Sequence, residues 1–424
     1  MEDYKLTKFN NGLRVLTVAS KESLSFQVVV FVNTGFDFEN KKENGLSHFL
    51  EHLCFKGTEK RRSNFEITKE LDSLGGIYNA TTSSECTYYW VRLSKEHKEK
   101  ALDVVSDIYL NSQFPEAELE KEKKVVMEEI NMHQDDPKLY VWELWPKLLY
   151  GDQPIGRFGL GTKENIKNFS RKDVMNYYRS QYKAKSTLVA ISGNFSDKEA
   201  IQQVKKYFSS IPLGQGKRKE NIKEKQTKPA LLVKEKETGQ THFVLGFRGI
   251  SLKDKRRYAL DLLDAIFDGG MSGMLFQLVR EKLGAAYYVR SYIEYFTDHG
   301  FWVVNAGVDN SRLEMIIKSI LQEWEKLKTS KISSADLNKA KNYIAGRFAL
   351  SQESVHNRAD YLASREILSG KIETPREYLK KIKAVTLGDL KKTAGEIINK
   401  RSLNLALIGS IKEKRTLLKI LNNY

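Results

Sequence analysis

Hydrophobic and polar positions alternate from Lys5 to Ala19 around Asn11-Gly12, a dipeptide that favours a tight hairpin turn. Phe26 to Asn33 is strongly apolar and predicts a strand buried on at least one face. The period then changes. Leu46, Phe49, Leu50 and Leu53 recur at helical spacing and supply one packing face. Ser63 opens a further helix with Glu66 three residues on, a capping-box spacing, and Gly75-Gly76 closes it. Ile77 to Ser83 and the β-rich run Cys86 to Leu93 follow, then helical patterns over Glu96 to Leu110, Glu116 to Met132 and Phe169 to Tyr182. Thr187 to Ser192 is again an apolar strand. Helices mixed with strands of antiparallel type predict an α+β class.

The 46–53 helix also carries chemistry. Residues 48 to 52 read His-Phe-Leu-Glu-His. Two histidines four apart project from one helical face, a spacing at which two imidazoles grip one metal ion. Glu51 lies at the edge of that face, where a carboxylate reaches a water bound to the metal. This is the reversed form of the commoner zinc-peptidase motif. Two histidines leave zinc under-coordinated, so a third ligand is required. The 116–132 helix offers candidates: Glu122, Glu129 and His133 share one face, and Glu128 points away from it. Spacing alone does not choose between Glu129 and His133.

Composition narrows the setting. At 424 residues the chain is comfortable for two domains. Lys+Arg outnumber Asp+Glu by 70 to 54, a net +16, but the lysines are dispersed among glutamates, and no aromatic-interleaved basic block or nucleic-acid signature occurs. The excess therefore reads as solvated surface, with no nucleic-acid partner. Cys54 and Cys86 are the only cysteines, which suggests no disulfide framework and a reducing compartment. The longest apolar run, Val28 to Val32, is far too short to span a bilayer, and the N-terminal residues carry no apolar core or cleavage signature. The expectation is a soluble, cytoplasmic protein without a membrane partner.

The second half repeats the first. Residues 214–229 are charged and turn-rich and read as a linker between a domain of residues 1–213 and one of residues 230–424. Asp173-Val174 and Gly193 match Asp389-Leu390 and Gly409 at one constant offset, and Phe55-Lys-Gly matches Phe267-Asp-Gly at a similar one. The chain is thus expected to be an internal duplication of two homologous domains, each an antiparallel-type sheet packed with helices. In that alignment His48, Glu51 and His52 face Leu260, Leu263 and Asp264, and Glu129 faces Arg347. The second domain has lost the metal grip. Gly269 to Val289 is glycine-rich at its start but lacks a phosphate-loop pattern; Met274, Leu275, Leu278 and Val279 read as core.

The runs His48 to Gly57, Leu74-Gly-Gly-Ile-Tyr-Asn-Ala-Thr-Thr and Val125-Val-Met-Glu-Glu-Ile-Asn-Met together resemble the pitrilysin family of zinc metallopeptidases. The similarity continues through Gly159-Leu-Gly-Thr and Ser192-Gly-Asn-Phe into the second half, closest to short bacterial members related to the mitochondrial processing peptidases. The resemblance implies Zn2+ held by His48, His52 and Glu129, with Glu51 as general base for a zinc-bound water and Glu122 as an orienting group behind the ligands. It also implies that Arg280 and Tyr287, matched in type and spacing, bind substrate and polarise the scissile carbonyl. Asn79, Ala80 and their neighbours would offer a strand edge to which substrate adds. The implied activity is endopeptidase cleavage of peptides or unfolded protein segments. Family enzymes enclose substrate between two halves and this chain supplies one, so a homodimer forming an enclosed chamber is expected, with a heterodimer containing a metal-less relative as the alternative. A non-catalytic scaffold or peptide-binding subunit is the competing class, and the intact metal set argues against it.

Overall fold

The computed structural model describes residues 4–284, 286–329, 332–411 and 413–424. Six strands come from the first half: β1 (Lys5–Lys8), β2 (Arg14–Ala19), β3 (Ser25–Val32), β4 (Ile77–Thr82), β5 (Thr87–Ser94) and β6 (Thr187–Gly193). They form one sheet in the order β1-β2-β6-β3-β5-β4. The second half gives β7 (Ala230–Glu235), β8 (Gln240–Arg248), β9 (Ala286–Tyr295), β10 (Gly300–Asp309) and β11 (Leu403–Gly409), in the order β7-β11-β8-β10-β9. Strand for strand this is the first order without β1, and the class is α+β with two homologous halves.

Each sheet departs from a purely antiparallel one in a single ladder. β2 runs parallel to β6, and β7 parallel to β11. The reason is the route of the chain. β6 and β11 return only after long helical excursions, and such connections can enter a sheet in either direction, whereas tight hairpins cannot.

The helices that precede β6 and β11 preserve the duplication in atomic detail. The Arg171–Gln181 helix begins at Ser170, whose hydroxyl accepts the Asp173 N–H (3.2 Å) while the Asp173 carboxylate accepts the Ser170 N–H (2.9 Å). The Leu387–Ile397 helix begins identically, with Thr386 and Asp389 at 3.2 and 2.8 Å. Both boxes satisfy otherwise orphaned backbone donors. Thr386→Ala is therefore expected to cost about 1 kcal/mol, read as a lower urea midpoint. The box foreseen at Ser63 forms by half: Ser63 accepts the Glu66 N–H, but the Glu66 carboxylate takes the N–H of Arg62.

Two compact units result, and neither is a continuous stretch. One comprises residues 1–130, 158–220 and 351–373; the other 131–157, 221–350 and 374–424. The division near residue 220 falls within the 214–229 segment. In the first unit the Val355–Ser369 helix lays Val355, Ala359, Leu362, Ala363 and Ile367 on Leu16, Val18, Val29, Phe31, Leu188 and Ala190 of β2, β3 and β6. In the second the Pro137–Tyr150 helix lays Val141, Leu144 and Trp145 on Val244, Val303, Ala406 and Ile408 of β8, β10 and β11. Each sheet's second face is thus covered by a helix encoded in the other half of the sequence. Both strands are buried at every position, and burial on both faces explains the unbroken apolar runs at residues 188–191 of β6 and 405–408 of β11.

Candidate metal centre

Leu46, Phe49, Leu50 and Leu53 are 0–2 % exposed and fix the Leu46–Leu53 helix in the core of the first unit. Its N-terminus has no side-chain cap of its own. Glu39 reaches it from an earlier turn, accepting the N–H groups of Ser47 (2.6 Å) and Gly45 (2.8 Å). Burial pushes the Glu39 carboxyl up to about 7, against the pull of those donors. Gly45 adopts φ +102°, and a Cβ there would lie 2.9 Å from Gly161 Cα and Leu160 O, so only glycine fits.

With the helix anchored, His48 and His52 face a carboxylate from the Glu116–Asp135 helix. Glu129 Oε2 lies 3.6 Å from His48 Nε2 and 3.7 Å from His52 Nε2, and the three donor groups lie within 4.8 Å of one another. Bonds of 2.0–2.1 Å to a tetrahedral zinc would separate neighbouring ligand atoms by roughly 3.4 Å. The donor set, two imidazoles and one carboxylate, also matches the three protein ligands of a catalytic zinc site. The residues fit the metal.

Behind them, Glu122 Oε2 is 3.1 Å from His52 Nδ1, and Lys56 Nζ is 2.6 Å from Glu122 Oε1. Burial opposes ionisation of Glu122, but His52 and Lys56 outweigh it and hold the carboxyl below its usual range. A carboxylate there holds the proton on Nδ1 and leaves Nε2 as a lone-pair donor toward Glu129 and the metal position. His133, the other candidate on this helix, instead has Nδ1 3.8 Å from Glu143 Oε1.

Glu51 is half-buried. Desolvation raises its carboxyl pKa, opposed by hydrogen bonds from the Thr82 hydroxyl and N–H at the end of β4. Asn79 and Ala80 lie on β4 itself, the edge strand, which pairs with β5 alone. Arg280 and Tyr287 belong to the second unit. Arg280 lies on the π-helical turn Gln277–Lys282, and its Nη1 approaches the Tyr287 carbonyl at 3.5 Å; the Tyr287 side chain, on edge strand β9, is exposed.

Sequence spacing missed three contributors: Glu39, Lys56 and Thr82. Lys56 had a local signal, four residues beyond His52. Glu39 and Thr82 act through tertiary contacts that no local period encodes.

The counterpart helix Arg257–Asp268 shows what replaced the grip. Leu260 and Leu263 are fully buried. Asp264 accepts hydrogen bonds from Ser291 Oγ (2.5 Å) and Trp302 Nε1 (2.8 Å). Burial pushes its carboxyl up to about 6. A carboxyl raised on folding contributes stability that is full below its unfolded pKa and lost as pH rises through its folded value. Asp264→Asn removes this dependence. Relative to wild type, the variant should gain roughly 1 kcal/mol in urea unfolding between pH 5 and pH 8.

Known proteins share both the sequence and the fold. Residues 14–163 match the family model described as "Insulinase (Peptidase family M16)", and residues 168–344 the one described as "Peptidase M16 inactive domain". A Rickettsia bellii protein named "Uncharacterized zinc protease" is 33% identical over 409 residues, 96% of this chain and 98% of its own. The Bacillus subtilis "Uncharacterized zinc protease YmxG" is 35% identical over 377 residues, 89% of this chain and 91% of its own. Among solved structures, a protease from Helicobacter pylori superposes with a TM-score of 0.90 at 24% identity, covering 96% of this chain and 99% of that one. A Pseudomonas fluorescens structure described as a peptidase M16 inactive domain gives 0.89 at 18%, covering 97% and 99%. At those identities the two structures establish the fold.

Proposed function

The chain belongs to the insulinase family of peptidases, M16, and on that premise we propose that it is a zinc endopeptidase cleaving peptides or unfolded protein segments. The observation that carries this reading is the convergence of His48, His52 and Glu129, with Glu122 holding His52 from behind. Zinc, when bound by those three residues, supplies the Lewis acidity that makes water nucleophilic near neutral pH. Glu51, lifted above the usual carboxylate range by burial, takes a proton from the attacking water and returns it to the leaving nitrogen. Thr82 holds that carboxylate at the end of β4, so a peptide laid along the β4 edge at Asn79 and Ala80 brings its backbone beside the base.

Arg280 and Tyr287 complete the reading as donors to the oxyanion of the scissile carbonyl. We assign them to the zinc site of a second copy, so that a homodimer encloses the substrate; pairing with a metal-less relative is the alternative arrangement. The net charge of +16 is surface charge in this reading, not a nucleic-acid footprint. Among the described residues no helix is long and apolar enough to cross a membrane, and the proposed location is the cytoplasm.

Metal analysis tests the core of the proposal. The purified protein should carry one zinc per chain and cleave a quenched peptide. A chelator should abolish cleavage and stoichiometric zinc should restore it. Activity that survives complete removal of the metal would sink the assignment.

A further inference from the structure

Edge strands expose unpaired backbone groups that invite indiscriminate pairing, and natural proteins protect them. β4 is such an edge. In its antiparallel ladder Ala80 stands opposite Tyr89. The Ala80 N–H is not spent on β5: it donates to Asn79 Oδ1 at 2.9 Å. A residue's N–H and C=O point to the same side of an antiparallel strand, and the Ala80 carbonyl accordingly accepts the Thr81 hydroxyl at 2.8 Å. The backbone donor and acceptor of Ala80 are therefore both covered by neighbouring side chains. Asn79 and Thr81 are themselves solvent-exposed, whereas Ala80 is only 7% exposed.

We propose that Asn79 and Thr81 form a displaceable cap on the Ala80 edge, making both residues determinants of which chains bind. The inference rests on the endopeptidase reading above and extends it to Thr81. To dock, a chain must offer a backbone acceptor to Ala80 N–H and a backbone donor to Ala80 C=O, replacing both caps together. An extended, unfolded segment does so. A folded protein, whose backbone groups are already paired, does not, and neither does a segment with proline at the donating position, which lacks the N–H. The cap makes the edge selective for unstructured polypeptide and, in its absence, keeps the edge closed to other sheets.

The test uses the zinc-loaded full chain, Asn79→Ala and Thr81→Val, the latter keeping a β-branched side chain in the strand. In wild type the Ala80 amide should exchange hydrogen slowly for an open edge, and Asn79→Ala should speed it about five- to tenfold. Each variant should lower KM for a quenched peptide about two- to tenfold, the worth of one hydrogen bond that substrate no longer displaces. A raised KM in either variant would make that side chain a direct substrate contact and overturn the cap. So would unchanged exchange at Ala80. If wild type cleaves no peptide at all, the endopeptidase reading fails, while the exchange measurement still decides whether the cap exists.

Discussion

Glu51→Gln should lower peptide cleavage by about two to four orders of magnitude while leaving zinc content at one per chain. Two separate parts of the structure produce the two halves of that outcome. The proposed metal grip is His48, His52 and Glu129, with Glu122 and Lys56 behind it, and none of these contacts involves the Glu51 side chain. Glutamine has nearly the same shape and keeps an oxygen for the Thr82 donors, so the helix and the β4 edge stay in place. It cannot accept and return a proton. KM should therefore change little and kcat should carry the loss. Glu129→Gln is the complementary variant: it replaces an anionic ligand by a neutral one, and both zinc and activity should go. Assays of both on the same quenched peptide, with metal content measured in parallel, separate the roles. Glu51→Gln cleaving as well as wild type would eliminate Glu51 as the base.

What the sequence could reveal about this site follows from how far apart the cooperating residues lie along the chain. His48, Glu51 and His52 sit on two turns of one helix, so their geometry is a local property and their spacing announces it. Glu129 comes from a second helix, and spacing alone left it level with His133; only the family resemblance favoured it, and the structure places it beside both histidines. Glu39 and Thr82 reach the motif helix from an earlier turn and a strand end. The same limit applies to the fold. The repeat of elements in the second half was legible as a duplication, but the crossing helices were not. Pro137–Tyr150 and Val355–Ser369 are ordinary amphipathic segments, and nothing in their period states which sheet receives them. The parallel ladders β2·β6 and β7·β11 were hidden for the same reason, since pairing direction depends on where a long connection returns.

Mixing two inactive variants should restore activity. Tyr287→Phe removes the proposed oxyanion donor and should lower kcat by about two to three orders of magnitude, without affecting zinc. Glu51→Gln removes the base. If the Tyr287 of one copy serves the zinc site of the other, a dimer containing one chain of each kind has one site lacking both groups and one site complete. In an isologous dimer with free exchange, half of the dimers are mixed and each has one working site of two, so an equimolar mixture should recover about a quarter of wild-type activity. The recovery must grow with incubation as subunits exchange. Tyr287 is exposed on edge strand β9, and Arg280 Nη1 lies 3.5 Å from its carbonyl, so the two residues are neighbours on the second unit. Activity that stays at the level of the separate variants, with exchange verified by mass-tagged chains, would overturn the shared site. A linear sum of two residual activities would do the same, because only a composite site makes two defects cancel.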